Sequence, residues 1–240
     1  MPQYAYDLHI HTCLSPCGDA LMTPPNIANM AYIKGLDIVA VTDHNSARNA
    51  RAVQIAACGL PLAVIAGIEV TTAEEIHVVC LFPDAESAEK AGCELEKHLP
   101  PVQNRSEFFG EQVIMDENEE ITGTFPFLLS NALDISIDKL PELIGGFGGF
   151  CYPAHIDKTS NSIISVFGAL PDKSKFASLE VHKPQRFFEN AENTHYRENH
   201  TIITSSDAHN LPDISEREHM IELNELTFEG LRKALCGDKG

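Results

Sequence analysis

The chain has 240 residues, of which 43% are hydrophobic and 22% are charged. This composition is typical of an ordinary globular protein, and the absence of low-complexity segments and fixed-period repeats excludes solenoid architectures. The formal net charge is -18. Because neutralising many phosphates requires clustered lysine and arginine, we expect extended nucleic acid not to be a partner.

The sequence gives no indication of a membrane or secretory protein. It has no apolar run near the roughly 18 residues of a membrane span, and it does not start with a basic region followed by an apolar stretch. The seven cysteines are an odd number and are spread along the chain, so we expect reduced thiols. Cytoplasmic location and no contact with membranes are therefore the expectation.

Seven β-rich runs alternate with segments of helical character, which predicts an α/β fold. The runs are mostly apolar throughout, which indicates strands buried on both faces, as in a parallel sheet or a barrel. They cover residues 4–10, 36–42, 62–70, 76–82, 149–154, 177–182 and 200–206.

Three helices have recognisable starts. Thr23 and Pro24 suit an N-cap and a first turn, and Gly35 ends that helix. Ser46 is a candidate cap for a second helix that runs to Gly59, and Asp84 is a candidate cap for a third.

The alternation breaks between residues 100 and 140. Two short strands around the polar turn 116–119 are predicted there, so we interpret the stretch as an inserted hairpin or lid. It is too short to bury a core of its own. We therefore expect a single domain over 1–240 with this insertion inside it.

Six of the 11 histidines lie in or just beyond a predicted strand. Because the carboxyl ends of parallel strands share one face of a barrel, these six imidazoles are expected to face one pocket. They are His9, His11, His44, His77, His155 and His209.

Pairs of ligand-type residues reinforce this pattern. His9 and His11 are two residues apart on a strand, so both imidazoles can project to one side, although such a pair alone also fits one exposed and one core histidine. Two further runs, T-D-H-N and S-S-D-A-H-N, each place an acid close to a histidine directly after a strand. In these runs Asp43 suits a role in orienting an imidazole, whereas Asp207 suits metal ligation.

Glu69 closes the apolar run 62–70, where a charged side chain is costly unless something compensates it. A bound cation would do so. Because a carboxylate has two oxygens, Glu69 is the candidate for a ligand that bridges two cations.

These motifs together resemble the PHP (polymerase and histidinol phosphatase) family. D-L-H-I-H-T, G-D-A-L-M-T-P, T-D-H-N, G-I-E-V, the histidine at position 77, Y-P-A-H and S-S-D-A-H occur in the family's order between residues 7 and 210. The resemblance implies a distorted (β/α)7 barrel, here with a short β-hairpin insertion. It also implies phosphoester hydrolysis with up to three divalent ions of zinc, manganese or iron.

The resemblance also implies a distribution of ligands. One ion would be held by His9, His11, Glu69 and Asp207, a second by Glu69, His77 and His155, and a third by His44 and His209. Asp7 and Asp43 would lie behind these ligands.

The first loop departs from the pattern of many family members, which have a histidine there as a ligand of the third ion. The loop reads CLSPCGDA in this chain. Its Asp19 resembles the aspartate of a subgroup of small nucleotide phosphoesterases. Cys17 is the competing candidate, and the sequence leaves the choice open.

We expect the nucleophile to be a hydroxide that bridges two ions, with no side-chain nucleophile, because the chain has no G-x-S-x-G elbow. His182, Lys158 and Arg105 are candidates for contacting the substrate phosphate. The predicted function is hydrolysis of a small phosphorylated metabolite, nucleotide or short oligonucleotide end. The alternatives are a metal-dependent nuclease on longer strands and a non-catalytic metal-binding regulatory domain.

Overall fold

The computed structural model describes residues 1–171 and 175–237, and within these ranges it has ten strands and nine α-helices. The strands are β1 (Gln3–Ile10), β2 (Ile38–Val41), β3 (Ala63–Thr71), β4 (His77–Phe82), β5 (Val113–Met115), β6 (Ile121–Thr124), β7 (Phe150–Pro153), β8 (Ser178–Glu180), β9 (Thr201–Ile203) and β10 (Met220–Glu222). The helices are α1 (Pro24–Ile33), α2 (Ala50–Ala56), α3 (Ala85–Leu95), α4 (Ser106–Phe109), α5 (Leu140–Gly145), α6 (Ile163–Phe167), α7 (Pro184–Glu189), α8 (Thr194–Asn199) and α9 (Phe228–Cys236). No helix in the described ranges is long and apolar enough to cross a membrane.

The strands form a curled sheet with the order β10-β1-β2-β3-β4-β7, accompanied by the parallel pair β8-β9. A parallel bridge between Ile10 and Ala208 joins the loop after β9 to the end of β1. The predicted distorted α/β barrel is confirmed. The curled sheet brings the residues that follow β1, β2, β7 and β9 together at one edge. The strands themselves pack into the core.

Two strands depart from the parallel pattern that the apolar runs suggested, and one of them is β10, which pairs antiparallel with β1. β4 pairs antiparallel with both β3 and β7. The connection between β3 and β4 has only five residues, which is too short for the crossover of a dozen or more residues that parallel neighbours require. As a consequence His77, the first residue of β4, lies at the same edge as residues that end the parallel strands.

Two of the three predicted helix starts are confirmed. α1 begins at Pro24 after Thr23, and the Asp84 side chain caps α3 by accepting a hydrogen bond of 2.7 Å from the Ser87 amide. The second helix starts at Ala50, later than predicted from Ser46. Arg48 and Asn49, just before this helix, form a turn, and the Asn49 side chain donates to Val113 O over 3.0 Å.

The insertion contains the predicted hairpin, formed by the antiparallel pair β5 and β6. It packs against the loop after β1, where the Val113 amide donates to Cys13 O over 3.0 Å. Met115 N donates to Asn49 Oδ1 over 3.0 Å, so the hairpin is anchored beside the first loop. Its role as a lid remains a prediction.

Candidate metal centre

The carboxylate of Glu69 lies at the centre of the histidines that the sequence singled out. It is fully buried near the end of β3. Its Oε1 lies 2.9 Å from His77 Nδ1, 3.2 Å from His9 Nε2 and 3.3 Å from His155 Nε2. Its Oε2 lies 3.0 Å from His44 Nδ1 and 3.4 Å from His11 Nε2.

Asp207 is the second carboxylate of this cluster. Its Oδ1 lies 3.1 Å from His11 Nε2 and 3.3 Å from His9 Nε2. His209, two residues further on, stacks on the His11 ring with 4.2 Å between the centroids. All six strand-end histidines and both carboxylates therefore meet at one edge of the barrel.

Three overlapping groups of these side chains have ligand atoms that lie within 4.8 Å of one another. The groups are His9, His11, Glu69 and Asp207; His44, Glu69 and His77; and His11, His44 and His209. The first reproduces the set that the family resemblance implied for one ion. The second contains His44 in place of His155, and the third adds His11 to the expected pair.

Three buried polar atoms of the cluster lack a hydrogen-bond partner among the described residues, and bound cations would supply one. Glu69 Oε2, His44 Nδ1 and His155 Nδ1 are buried and have no hydrogen-bond partner, although the first two lie 3.0 Å apart. An unpaired buried polar atom costs on the order of 1–3 kcal/mol. Imidazole nitrogens and carboxylate oxygens are ligands of zinc and other transition metals, so the donor set fits divalent ions.

The electrostatics keep both carboxylates ionised. Burial alone would raise the pKa of Glu69, but the imidazoles of His77, His9 and His44 hold that pKa well below its usual value. Burial opposes ionisation of Asp207 in the same way, and His9 and His11 lower its pKa. Each carboxylate is therefore an anion at neutral pH and needs to lose no proton before it binds a cation.

Glu180 is a buried partner of this cluster that the sequence analysis missed. Both of its carboxylate oxygens lie 3.1 Å from His9 Nδ1, which leaves His9 Nε2 facing Glu69 and Asp207. Its Oε1 also accepts a hydrogen bond from the amide of His155 over 3.1 Å. The available signal was an acid inside the apolar run 177–182, the same feature that drew attention to Glu69.

Asp43 acts on His11 through Ser15, a second residue that the sequence analysis missed. Ser15 Oγ donates to Asp43 Oδ1 over 2.7 Å and lies 2.9 Å from His11 Nδ1. Asp43 also accepts hydrogen bonds from the Thr12 amide and hydroxyl. Asp43 therefore reaches the His11 imidazole through two consecutive hydrogen bonds, with the Ser15 hydroxyl between them.

Two strand ends of the cluster have left-handed backbone, with φ of 28° at His155 and 53° at Asp207. Such conformations cost on the order of 1–3 kcal/mol for residues other than glycine and need support from their surroundings. Asp7 supports the backbone near Asp207, because its carboxylate accepts hydrogen bonds from the amides of Ser206 and Ser215 over 3.0 and 2.9 Å. Asp7 therefore holds the loop that carries Asp207 and makes no hydrogen bond to an imidazole.

The first loop gives Asp19 and Cys17 different neighbours. The exposed Asp19 carboxylate accepts a hydrogen bond of 2.8 Å from the Leu21 amide and is in none of the three ligand groups. Cys17 is likewise in none of the three ligand groups, but its side chain interacts with the imidazoles of His209 and His44. Burial alone would raise the pKa of Cys17, but these imidazoles lower it to about 6.

The three predicted substrate contacts lie in different places. Lys158 pairs with Asp207 Oδ2 at the edge of the cluster. His182 is half-buried nearby, its Nδ1 has no hydrogen-bond partner, and burial together with Lys158 lowers its pKa. Arg105 instead stacks on Phe108 in the insertion, 4.8 Å from the ring centroid, and the structure does not bring it into the cluster.

Solved structures share this fold. Endonuclease Q in complex with a 27-mer duplex substrate that has an abasic lesion at the active site is 20% identical, with a TM-score of 0.70; the match covers 100% of this chain and 58% of that one. A protein described as a metal-dependent phosphoesterase, from Bifidobacterium adolescentis, is 16% identical with a TM-score of 0.60, and the match covers 98% and 97% of the two chains.

A relative is also found by sequence. The 5'-3' exoribonuclease of Haemophilus influenzae is 33% identical over 79 residues, which are 32% of this chain and 28% of the relative. This chain thus matches less than a third of the length of that enzyme.

The expectation that extended nucleic acid is not a partner is wrong, because the similar proteins include an exoribonuclease and an endonuclease bound to a duplex. The physical error lies in the use of net charge. The value of -18 sums the whole protein, whereas binding at the cluster depends on its own groups, six imidazoles around two carboxylates. Bound cations would add positive charge there.

The profile of the PHP domain matches residues 7–123. This range includes the H-x-H pair, T-D-H-N and G-I-E-V, and the cluster described above contains residues from all three motifs. Residues 7–123 therefore match the PHP domain, which confirms the resemblance predicted from the motifs.

Proposed function

We propose that this protein is a metal-dependent phosphoesterase that hydrolyses phosphodiester bonds in nucleic acid. The observation that supports this most directly is the buried Glu69 carboxylate, which touches five imidazoles and has an oxygen without a hydrogen-bond partner. The similarity to an exoribonuclease and to endonuclease Q favours nucleic acid over the small phosphorylated metabolite expected from the net charge.

The proposed ligands are those of the family pattern, with two or three divalent ions of zinc, manganese or iron. His9, His11, Glu69 and Asp207 would hold one ion; Glu69, His77 and His155 a second; and His44 and His209 a third. When bound, such ions stabilise negative charge on phosphoryl oxygens and lower the pKa of water, so that no side-chain nucleophile is required.

The chain's own residues fix the geometry of this chemistry. Glu180 accepts from His9 Nδ1 and so presents His9 Nε2 to the pocket, and Ser15 does the same for His11. Because these partners are buried, the imidazoles keep their orientation whether or not substrate is present.

The edge of the cluster offers groups for the substrate. The Lys158 ammonium, which lies beside Asp207, and the half-buried His182 would bind phosphate oxygens. The insertion 100–140, anchored beside the first loop, would cover the bound strand as a lid.

The test measures hydrolysis of end-labelled single-stranded and duplex oligonucleotides of increasing length, before and after removal of metal with a chelator. We expect cleavage that chelation abolishes and added zinc, manganese or iron restores. A ladder of products shortened from one end indicates an exonuclease, whereas internal products indicate an endonuclease. Cleavage that survives complete metal removal would refute the proposal.

Glu69→Gln supplies the matched test of the site. We expect hydrolysis to fall by at least roughly a hundredfold, the upper end of what the loss of even an outer partner of a metal ligand costs. The exposed Glu86→Gln, which changes the same chemical group far from the cluster, serves as the control. Wild-type turnover by Glu69→Gln would exclude the proposed bridging role.

A further inference from the structure

Two basic side chains that follow β8 have no partner of opposite charge. The chain has 35 acidic and 17 basic residues, so most cations have a carboxylate to pair with, as Arg48 does with Glu96. Lys183 and Arg186 are both exposed, and in the described part of the chain neither lies within 4.0 Å of a carboxylate. These two charges are therefore available to an anion from outside the protein.

The loop after β8 is fixed to the loop after β7, which carries a proposed metal ligand. The Asp157 carboxylate accepts hydrogen bonds from the amides of His182 and Lys183 over 2.7 and 2.8 Å. Asp157 is two residues after His155 and directly precedes Lys158, whose ammonium lies at the edge of the cluster. The Lys183 backbone is therefore one hydrogen bond away from the segment that borders the metal centre.

The start of α7 places Arg186 beside Lys183. Lys183 is the residue before the helix, and Arg186 is its third residue. These two positions adjoin, as a capping box shows, where the residues that occupy them bond to each other. Phe187 and Phe188 pack against the hydrophobic core and hold this turn in place. The two positive charges are therefore close enough to bind one phosphate group together.

A second observation indicates a ligand at this place. His182 lies directly before Lys183, and its buried Nδ1 has no hydrogen-bond partner among the described residues. Buried polar atoms rarely lack a partner, so an unpaired one indicates a place for water, an ion or a ligand. Contacts lead from Asp207 to Lys158, and from the neighbouring Asp157 to Lys183. Donors that suit phosphate thus continue from the cluster to the loop after β8.

We propose that Lys183 and Arg186 bind a phosphate of the substrate strand that neighbours the phosphodiester at the metal centre. A substrate with a single phosphate would occupy the cluster and leave this pair without a partner, whereas a nucleic acid strand has a phosphate at every nucleotide. Lysine and arginine bind such backbone phosphates without reading the base sequence. The inference rests on the nuclease function proposed above and adds the contact that distinguishes a strand from a small phosphate ester.

Binding of a short fluorescein-labelled single-stranded oligonucleotide, measured by anisotropy in excess chelator, tests the pair without hydrolysis. Lys183→Gln/Arg186→Gln should weaken binding at low salt about tenfold, the loss of one charge-assisted contact. One phosphate contact to a single strand contributes about 0.7 to the slope of log K against log salt, so the slope should become shallower by that amount. Lys183→Arg/Arg186→Lys keeps both charges and should keep the wild-type slope.

Lys90→Gln is the charge-matched control, because it removes an exposed cation on α3. It should bind the oligonucleotide as the wild type does, and an equal loss there would overturn the proposal. Inorganic phosphate is the competing probe. If it displaces the oligonucleotide at an equal concentration of phosphate groups, the pair binds a free anion and the proposal is wrong. A wild type without measurable binding, or a double variant with wild-type affinity and slope, would overturn it as well.

Hydrolysis separates this inference from the proposed function. Bis(p-nitrophenyl) phosphate has one phosphodiester and no neighbouring phosphate, so the double variant should hydrolyse it at the wild-type rate while its KM for the oligonucleotide rises. An equal loss on both substrates would contradict the assignment, since it would place the pair at the phosphodiester that is cleaved. If the wild type hydrolyses neither substrate, the proposed function is refuted, and the binding titrations still decide whether the pair holds the strand.

Discussion

Replacing Glu180 with glutamine tests whether a buried partner behind the cluster controls metal binding. In Glu180→Gln the amide oxygen can take the place of Oε1 and still accept from the His155 amide. The amide NH₂ then takes the place of Oε2, 3.1 Å from His9 Nδ1. Two donors would face each other at that position, because His9 Nδ1 must carry a proton if Nε2 is to bind a cation. The amide oxygen at the Oε1 position would remain the one acceptor for that proton, without the charge of the carboxylate.

The expected loss of metal affinity follows from the lost contact between His9 Nδ1 and the Oε2 position. Partners that orient a metal-bound imidazole typically contribute 10–100-fold to metal affinity, so we expect a loss of about 1.4–2.7 kcal/mol in the binding free energy of one ion. The pKa of His9, which burial lowers but Glu180 and Glu69 raise well above its usual value, should fall in the metal-free variant. A purely structural role for Glu180 would change neither quantity.

The assay is a competition titration of zinc against a chromophoric chelator, combined with NMR titration of the metal-free histidines. Glu86→Gln on the surface of α3 is the control, since it removes a carboxylate that pairs with exposed Lys90. Circular dichroism establishes that both variants are folded. A folded Glu180→Gln protein with wild-type zinc affinity and an unchanged His9 pKa would refute the reasoning.

Two further predictions concern the first loop and α3. Ser15→Ala removes the hydroxyl between His11 and Asp43, so metal affinity should fall about tenfold in the same titration; unchanged affinity would show that Ser15 does not orient His11. Asp84→Ala removes the cap of α3 and should lower the free energy of unfolding of metal-free protein by about 1 kcal/mol in urea at pH 7. Because its hydrogen bond to the Ser87 amide holds the pKa of Asp84 below the usual value, this stabilisation is complete above the unfolded pKa of about 3.9. It is lost as the pH falls through the lowered pKa, so a difference between wild type and variant that persists below that pKa would contradict the mechanism.

Local sequence was sufficient to predict the features whose physical cause is local. Apolar runs identified the buried strands, and the polar turn 116–119 identified the hairpin of β5 and β6. Asp84 was recognisable as a cap because a cap bonds to an amide three residues away. The strand-end histidines were found for the same reason, since position relative to a strand end is a property of neighbouring residues.

The tertiary structure alone decided the features that depend on distant residues. Glu180 lies behind His9 across a separation of 171 residues, and no periodicity of either strand encodes that contact. The first loop is tied to the loop after β9 by a hydrogen bond from the Asp19 amide to His209 O, a contact between residues 190 positions apart. Net charge failed as a guide to the partner because it averages over a surface, whereas recognition depends on the few groups that the fold gathers at one edge of the barrel.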